Sequence, residues 1–158
     1  MTLYTEMTSP LGTLLLTAEG GALTGVHFPG QKHDRPRQPG WRRADDEPVL
    51  AAARMQLGEY FEGKRSTFDL PLAPQGTPFQ QAVWRALSAV PFGATSTYGE
   101  VAEAIGRPKA VRAVGAAIGA NPIGIVVPCH RIVGRDGSLT GYAGGLDRKA
   151  KLLALERG

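Results

Sequence analysis

Residues 97–120 read TYGEVAEAIGRPKAVRAVGAAIGA. Thr97 followed by Glu100 fits a capping box, which predicts a helix opening at Tyr98 and running through Ile105. Gly106-Arg107 supply a tight turn, and Pro108 suits the first position of a second helix reaching about Ala120. Two short helices joined by a Gly-containing turn make a helix-turn-helix pattern. On the second helix Val111, Val114 and Ile118 share a face that is expected to be buried. The other face carries Lys109, Ala113, Ala116 and Ala120, with Arg112 at its edge. Exposed helix faces usually hold several charges. A nearly bare alanine face flanked by cations lets a helix lie close to a nucleic-acid backbone, although helix propensity alone also favours alanine.

The charge distribution favours the first reading. Residues 1–77 hold 8 Lys/Arg against 9 Asp/Glu, whereas residues 78–158 hold 10 against 5. A basic half beside a near-neutral one points to a polyanionic partner on one side.

Upstream of the pattern, Thr77-Pro78 is a helix start, and Phe79, Val83, Ala86, Leu87 and Val90 follow at helical spacing until Pro91-Phe92-Gly93. Further back, Leu3–Met7, Thr13–Ala18 and Ala22–Phe28 read as three strands joined by short turns, an antiparallel meander. Pro29–Glu47, rich in Pro, Gly and Arg, reads as a surface loop. Pro48–Phe61 reads as a helix with Val49, Ala52, Ala53, Gln56, Leu57 and Tyr60 on one face. A short strand is expected near Thr67–Leu70. The fold class is therefore α+β: an N-terminal antiparallel sheet with one helix, then a helical, winged-helix-like domain. The expected boundaries are 1–72 and 78–158, with 73–77 as linker.

The 158 residues, 42% of them hydrophobic, are enough for a buried core. No apolar run has membrane-spanning length, and no secretory signal is read at the N-terminus. One cysteine excludes an internal disulfide and a Cys-rich zinc site, so a reducing cytoplasm is the expected setting. His27 is read as a strand residue and His33 as a loop residue.

That cysteine follows the apolar run Ile123–Val127, in Pro128-Cys129-His130-Arg131. Nearby cations are expected to stabilise its thiolate, the nucleophilic form. Neighbouring side chains do not face each other on a helix or strand. Cys129 and His130 are therefore expected to communicate through a turn or a water. His130 then needs an acidic partner, for which Asp136, Asp147 and Glu156 are candidates.

Pro128-Cys129-His130-Arg131, followed by Gly141-Tyr142-Ala143-Gly144-Gly145-Leu146, resembles the active-site region of the O6-alkylguanine-DNA alkyltransferases. Tyr98, the Arg112 helix and Asn121-Pro122 occur at that family's spacing, so the likeness spans most of 77–156. The resemblance implies repair of O6-alkylguanine, and of O4-alkylthymine, by irreversible single-turnover transfer of the alkyl group to Cys129. It implies that His130 acts as base through a water and that Glu156 orients it. Tyr98 would donate to N3 of guanine, the carbonyls of Cys129 and Ile132 would accept from its amino group, and Ala143 N–H would meet O6. Asn121 would tie the helices to the active-site loop, and Tyr142 would line the pocket. Arg112 would fill the gap left by a flipped nucleotide. Lys109, Thr97, Ala113 and Ala116 would meet the minor groove of double-stranded DNA. No cofactor is implied, and the free protein is expected to be a monomer able to bind DNA cooperatively. Some relatives carry Pro, Gly and Ser where this chain has Gly124, Thr140 and Ala143. Gly124 offers no apolar wall, so poor reaction with free O6-benzylguanine is expected, and Gly124→Pro is expected to restore part of it. Two other classes fit parts of the pattern. A cysteine hydrolase would turn over, and a non-catalytic DNA-binding regulator would not need Cys129.

Overall fold

The computed structural model describes residues 1–31 and 38–158; His33 lies outside them. Strands β1 (Leu3–Ser9), β2 (Gly12–Glu19) and β3 (Ala22–His27) form the meander, each antiparallel to the next. The β1–β2 turn is closed by Ser9, whose Oγ accepts from Leu11 N–H, and by Gly12 at φ +117. Such a positive φ favours glycine. Within Pro29–Glu47 the chain also forms a short edge strand, β4 (Arg42–Arg43), parallel to β1. Arg42 N–H donates to Thr2 O at 3.0 Å and Ala44 N–H to Tyr4 O at 2.9 Å. The sheet order is β3-β2-β1-β4. β4 escaped the sequence reading because two arginines carry no alternation, and charge on an edge strand is ordinary.

Helix α1 (Pro48–Phe61) begins at an N-cap, Glu47, whose carboxylate accepts from Leu50 N–H. It lays Val49, Leu50, Ala53, Leu57 and Tyr60 against the sheet, all buried. Each fully buried large apolar side chain of this kind contributes about 1.5–3 kcal/mol. Thr67–Leu70 is not a strand. The buried Gln56 amide grips Asp69 instead: Nε2 donates to Asp69 O at 3.0 Å, and Asp69 N–H donates to Oε1 at 2.9 Å. A side chain thus satisfies the backbone that a neighbouring strand would have paired. Sheet-like pairing comes slightly later, where Leu23 exchanges two bonds with Pro71 and Ala73 at 2.8 Å each.

Helix α2 (Pro78–Ser88) starts with the reciprocal Thr77–Gln80 capping box. Helix α3 (Tyr98–Ala104) is capped by Thr97 Oγ1, which accepts from Glu100 N–H. Helix α4 (Val111–Gly119) starts three residues later than its sequence suggests. Ala110 N–H donates to Arg107 O at 2.9 Å, closing a turn with Pro108 in its second place, a position whose φ proline pre-sets. Most of the expected buried face is kept, but Val111 now sits at the first helical position. Val114, Ala117 and Ile118 are buried, while Val111 is 41% exposed. Trp84 Nε1 donates to Ala117 O at 2.8 Å, fixing α2 to α4.

A parallel pair, β5 (Ser96–Thr97) with β6 (Ile132–Val133), brings the start of α3 beside the segment after Cys129. Helix α5 (Leu146–Arg157) closes the chain. The two halves are joined at several points. Val26 N–H donates to Pro122 O, and Gly124 N–H donates to Val26 O, both at 2.9 Å. Arg148 donates to Leu11 O and stacks 4.0 Å over the Phe28 ring. One apolar cluster holds residues of both halves, from Leu14 to Leu152. Among the described residues no helix is long and apolar enough to cross a membrane.

Candidate active site

Asn121 follows α4 and clasps the apolar run. Its Nδ2 donates to Val127 O at 2.9 Å and its Oδ1 accepts from Ile123 N–H at 3.0 Å. Inside the clasp Val127 N–H reaches Ile123 O, and buried Ile125 is held at φ +70. A β-branched residue in that region is strained and persists only where its surroundings over-determine it. The backbone at Gly124 bears on the expected Gly124→Pro rescue, which requires that it tolerate a proline ring. Its N–H is committed to Val26 O, and a Cβ there would lie 3.1 Å from the same oxygen. Proline would delete the bond that joins β3 to this loop, so Gly124→Pro would add an apolar wall at the cost of that anchor.

The chain then makes a 3₁₀ turn, Cys129–Arg131. With three residues per turn, successive side chains diverge. Cys129 is buried and faces a cavity of about 10 Å³ bounded by Ile118, Asn121, Gly124, Ile125, Tyr142 and Ala143. That volume suits at most one water. His130 and Arg131 reach the Glu156 carboxylate on α5. His130 Nε2 lies 2.6 Å from Oε2, and Arg131 donates from Nε to Oε1 at 2.8 Å and from Nη2 to Oε2 at 3.0 Å. Tyr60 on α1 donates its hydroxyl to Oε2 at 2.5 Å. Of the three acidic candidates, Glu156 is the one beside His130. Asp136 bonds within its own turn to Ser138 N–H, and Asp147 is exposed in the first turn of α5.

Burial alone would raise the Glu156 carboxyl, but the bonds from His130 and Arg131 outweigh it and bring it to about 2. Burial lowers His130, with Arg131 and Lys149 adding to the effect against the opposing pull of Glu156. At neutral pH the pair is thus a carboxylate and a neutral imidazole. A carboxylate only accepts, so the ring proton sits on Nε2 and the Nδ1 lone pair is left free to accept a hydrogen bond. Nδ1 is buried and meets no protein partner among the described residues.

The sequence reading credited the neighbouring cations with stabilising a Cys129 thiolate, and for Arg131 that is wrong. Its guanidinium is spent on Glu156 and Val90 O. Burial pushes the Cys129 thiol up, opposed by the Asn121 amide and the charge of Lys149. Lys149 is itself buried, and its Nζ donates to Ile132 O and to Thr140 O. The thiol at rest therefore needs a base, and His130 is the next residue of the same turn.

Tyr98 opens α3 with its ring near Gly115 and its hydroxyl 2.7 Å from Thr140 Oγ1. The Cys129 carbonyl accepts from Ile132 N–H, and the Ile132 carbonyl accepts from Lys149 Nζ. Lys109, Arg112, Ala113 and Ala116 are exposed at the start and along the outer face of α4. The side chains of Lys109 and Arg112 make no hydrogen bond or ion pair among the described residues. Thr97 is occupied by capping α3, and its hydroxyl also lies 3.2 Å from the Glu100 carboxylate.

Tyr60 and Lys149 were missed as site residues. A tyrosine on an apolar helix face needs a partner for its hydroxyl, which was a usable signal. So was the spacing of Lys149, Leu152, Leu153 and Glu156, which puts two charges on the buried stripe of α5. Among the described residues no three His, Cys, Asp or Glu side chains gather as a metal site.

Two family models match the chain. One describes a 6-O-methylguanine DNA methyltransferase DNA binding domain, over residues 78–158. The other describes the ribonuclease-like domain of the same methyltransferase, over residues 2–74. A methylated-DNA–protein-cysteine methyltransferase of Mycolicibacterium paratuberculosis is 50% identical over 154 residues, covering 98% of this chain and 92% of that protein. Its namesake from Haemophilus influenzae is 47% identical over 155 residues, covering 98% and 86%. The crystal structure of the Mycobacterium tuberculosis O6-methylguanine methyltransferase superposes with a TM-score of 0.90 at 46% identity, covering 99% of this chain and 93% of that one. A Mycobacterium tuberculosis OGT in complex with DNA gives 0.89 at 45% identity, covering 98% and 92%.

Proposed function

This chain belongs to the 6-O-methylguanine DNA methyltransferase family, and from that premise we propose that it repairs DNA by moving the alkyl group of O6-alkylguanine onto Cys129. The observation that carries this reading is the polarity of the relay. Glu156 fixes the His130 proton on Nε2 and leaves Nδ1 free to take the thiol proton through one water. The sulfur then forms a bond to the alkyl carbon, and the carbon–O6 bond breaks with its electron pair left on guanine. Guanine regains one proton from solvent. Thiol and alkylguanine thus become thioether and guanine, with no oxidant or cofactor needed. The thioether has no route back, so each molecule acts once.

DNA is the partner. It meets the exposed Ala113/Ala116 face of α4 from the minor groove, with Lys109 and Thr97 at its border. Small side chains suit that narrow groove. A base inside a duplex hides O6, so the nucleotide is flipped and Arg112 takes its place in the stack. The cavity beside Cys129 is far smaller than a purine, so the Tyr142–Gly145 segment and Gln31 must give way on binding. Tyr98 then donates to N3, and Ala143 N–H meets O6. Residues 78–158 are the working unit, 1–72 its support and 73–77 the link; the free protein is a monomer of the cytoplasm.

The test is incubation with duplex DNA carrying O6-methylguanine, followed by mass spectrometry of the tryptic peptides. One methyl group on the Cys129 peptide, saturating at about one equivalent, is the expected result. Continued turnover would favour a hydrolase. DNA binding without any transfer would favour a regulator.

A further inference from the structure

Tyr98 and Thr140 meet hydroxyl to hydroxyl at 2.7 Å, both half-buried and 42 positions apart in the chain. The two groups share two hydrogens, and only one can lie between them. A phenol is the stronger acid, so in isolation it donates to the threonine and turns its lone pairs outward. When an acceptor arrives on the other side, the pair can reverse. Thr140 then donates to Tyr98, and Tyr98 donates onward. A hydroxyl that is itself receiving a hydrogen bond is a stronger donor, because chained bonds polarise one another.

The position of Thr140 is held. Lys149 Nζ donates both to Thr140 O and to Ile132 O, and Ile132 belongs to β6, which pairs with the Ser96–Thr97 strand leading into Tyr98. The buried ammonium therefore ties the two segments whose side chains meet, and the Oγ1–Oη contact follows from both anchors.

We propose that Thr140 is a positioning residue for the leaving group: through Tyr98 it forms the second link of a hydrogen-bond chain, Thr140 to Tyr98 to N3 of the departing guanine. This rests on the alkyl-transfer reading above. Thr140 makes and breaks no covalent bond. It strengthens the donor that faces the negative charge left on guanine when the carbon–O6 bond breaks, and Tyr98 keeps its proton.

The experiment measures single-turnover methyl transfer to Cys129 at saturating duplex, together with DNA affinity and thermal unfolding. It covers the parent, Thr140→Val, Thr140→Ser, Tyr98→Phe and the Tyr98→Phe/Thr140→Val double variant. Thr140→Val is expected to slow transfer on the order of 5-fold with unchanged DNA affinity. Tyr98→Phe should cost on the order of 10²-fold, as for loss of a donor to a developing anion. Thr140→Ser should restore the parent rate to within about 2-fold, since it keeps the hydroxyl that polarises Tyr98. In the Tyr98→Phe background Thr140→Val should change nothing further. A substrate whose N3 is replaced by CH should react equally with the parent and with Thr140→Val, which a purely structural role would not produce. The proposal is overturned by a Thr140→Val loss that persists without the Tyr98 hydroxyl or without N3, by failure of serine to rescue, or by a parent-like Thr140→Val. If Thr140→Val does not fold, the parent and Thr140→Ser on the two substrates still decide. A parent that transfers no methyl group overturns the alkyl-transfer reading instead.

Discussion

The two halves of the chain contribute to the pocket in different ways. The basic C-terminal half carries the thiol, the imidazole and the carboxylate. The near-neutral N-terminal half holds none of these three groups, yet it reaches the same site. Tyr60 bonds Glu156, Val26 holds the loop before Cys129 by its backbone, and Phe28 lies under Arg148. The chemistry is thus local in sequence, while its rigidity is not. A buried imidazole and carboxylate act as a base only if their bonds leave a single arrangement, and the last of those bonds comes from 96 residues away.

The sharpest way to break this division is at the thiol. Cys129→Ser should lower methyl transfer on the order of 10³-fold or more while leaving thermal stability near that of the parent. Residual transfer to any other residue would move the chemistry out of the 3₁₀ turn.

Glu156 belongs to both sides of the comparison, so Glu156→Gln should fail in both ways. Arg131 would be left buried without its anion, a loss of about 3–5 kcal/mol in denaturant unfolding. Transfer would also fall, because the amide no longer fixes the His130 tautomer. The same group predicts a pH dependence. The folded carboxyl, at about 2, lies below its unfolded value near 4.3. Its contribution is therefore full above the unfolded value and is lost as pH falls from about 5 towards 2. His130 is lowered by burial, so protonation favours the unfolded chain and stability begins to decline earlier, below about 6.5. The stability gap between the parent and Glu156→Gln should be widest above about pH 5 and close as pH falls towards 2. A gap that stays constant or widens over that range would mean that Glu156 is not ionised in the folded protein.

Arg112 separates DNA handling from chemistry within the basic half. Arg112→Ala should slow repair in duplex DNA on the order of 10²-fold, the equivalent of a few kcal/mol of flipping energy. Reaction with the free alkylated base should stay near the parent rate. Equal losses on both substrates would place Arg112 in the pocket instead.

The smallest expected effect tests the supporting half. Tyr60→Phe removes one of several donors to Glu156 and should cost about 1.5 kcal/mol of stability, with transfer at saturation within about 3-fold of the parent. A ten-fold slower transfer without loss of stability would make Tyr60 part of the chemistry and end the distinction between the halves.

Much of this was legible in the sequence because the signals are local. Strand alternation, the Thr77 and Thr97 caps and the turn at Gly106 follow from a few neighbouring residues, and each is present. Where a local signal competed with a tertiary one, the sequence reading failed. Gln56 displaced a strand at Thr67–Leu70 by bonding Asp69. The turn across Pro108 took the first residues expected in α4 and turned Val111 outward.

By itself the sequence determined the α+β class, the basic C-terminal half and the Pro128–Arg131 segment with its single thiol, since composition and short-range pattern suffice for these. Only the tertiary structure decided how Arg131, Tyr60, Lys149 and Thr140 are used. Arg131 neutralises Glu156 instead of assisting Cys129, and Lys149 is buried near the thiol with its ammonium on two carbonyls. Whether a charge serves as a cation or as half of a pair depends on what lies within about 4 Å of it. That distance is set by the packing of α1 against α5 and the loop before it, which lie far from α1 in the chain.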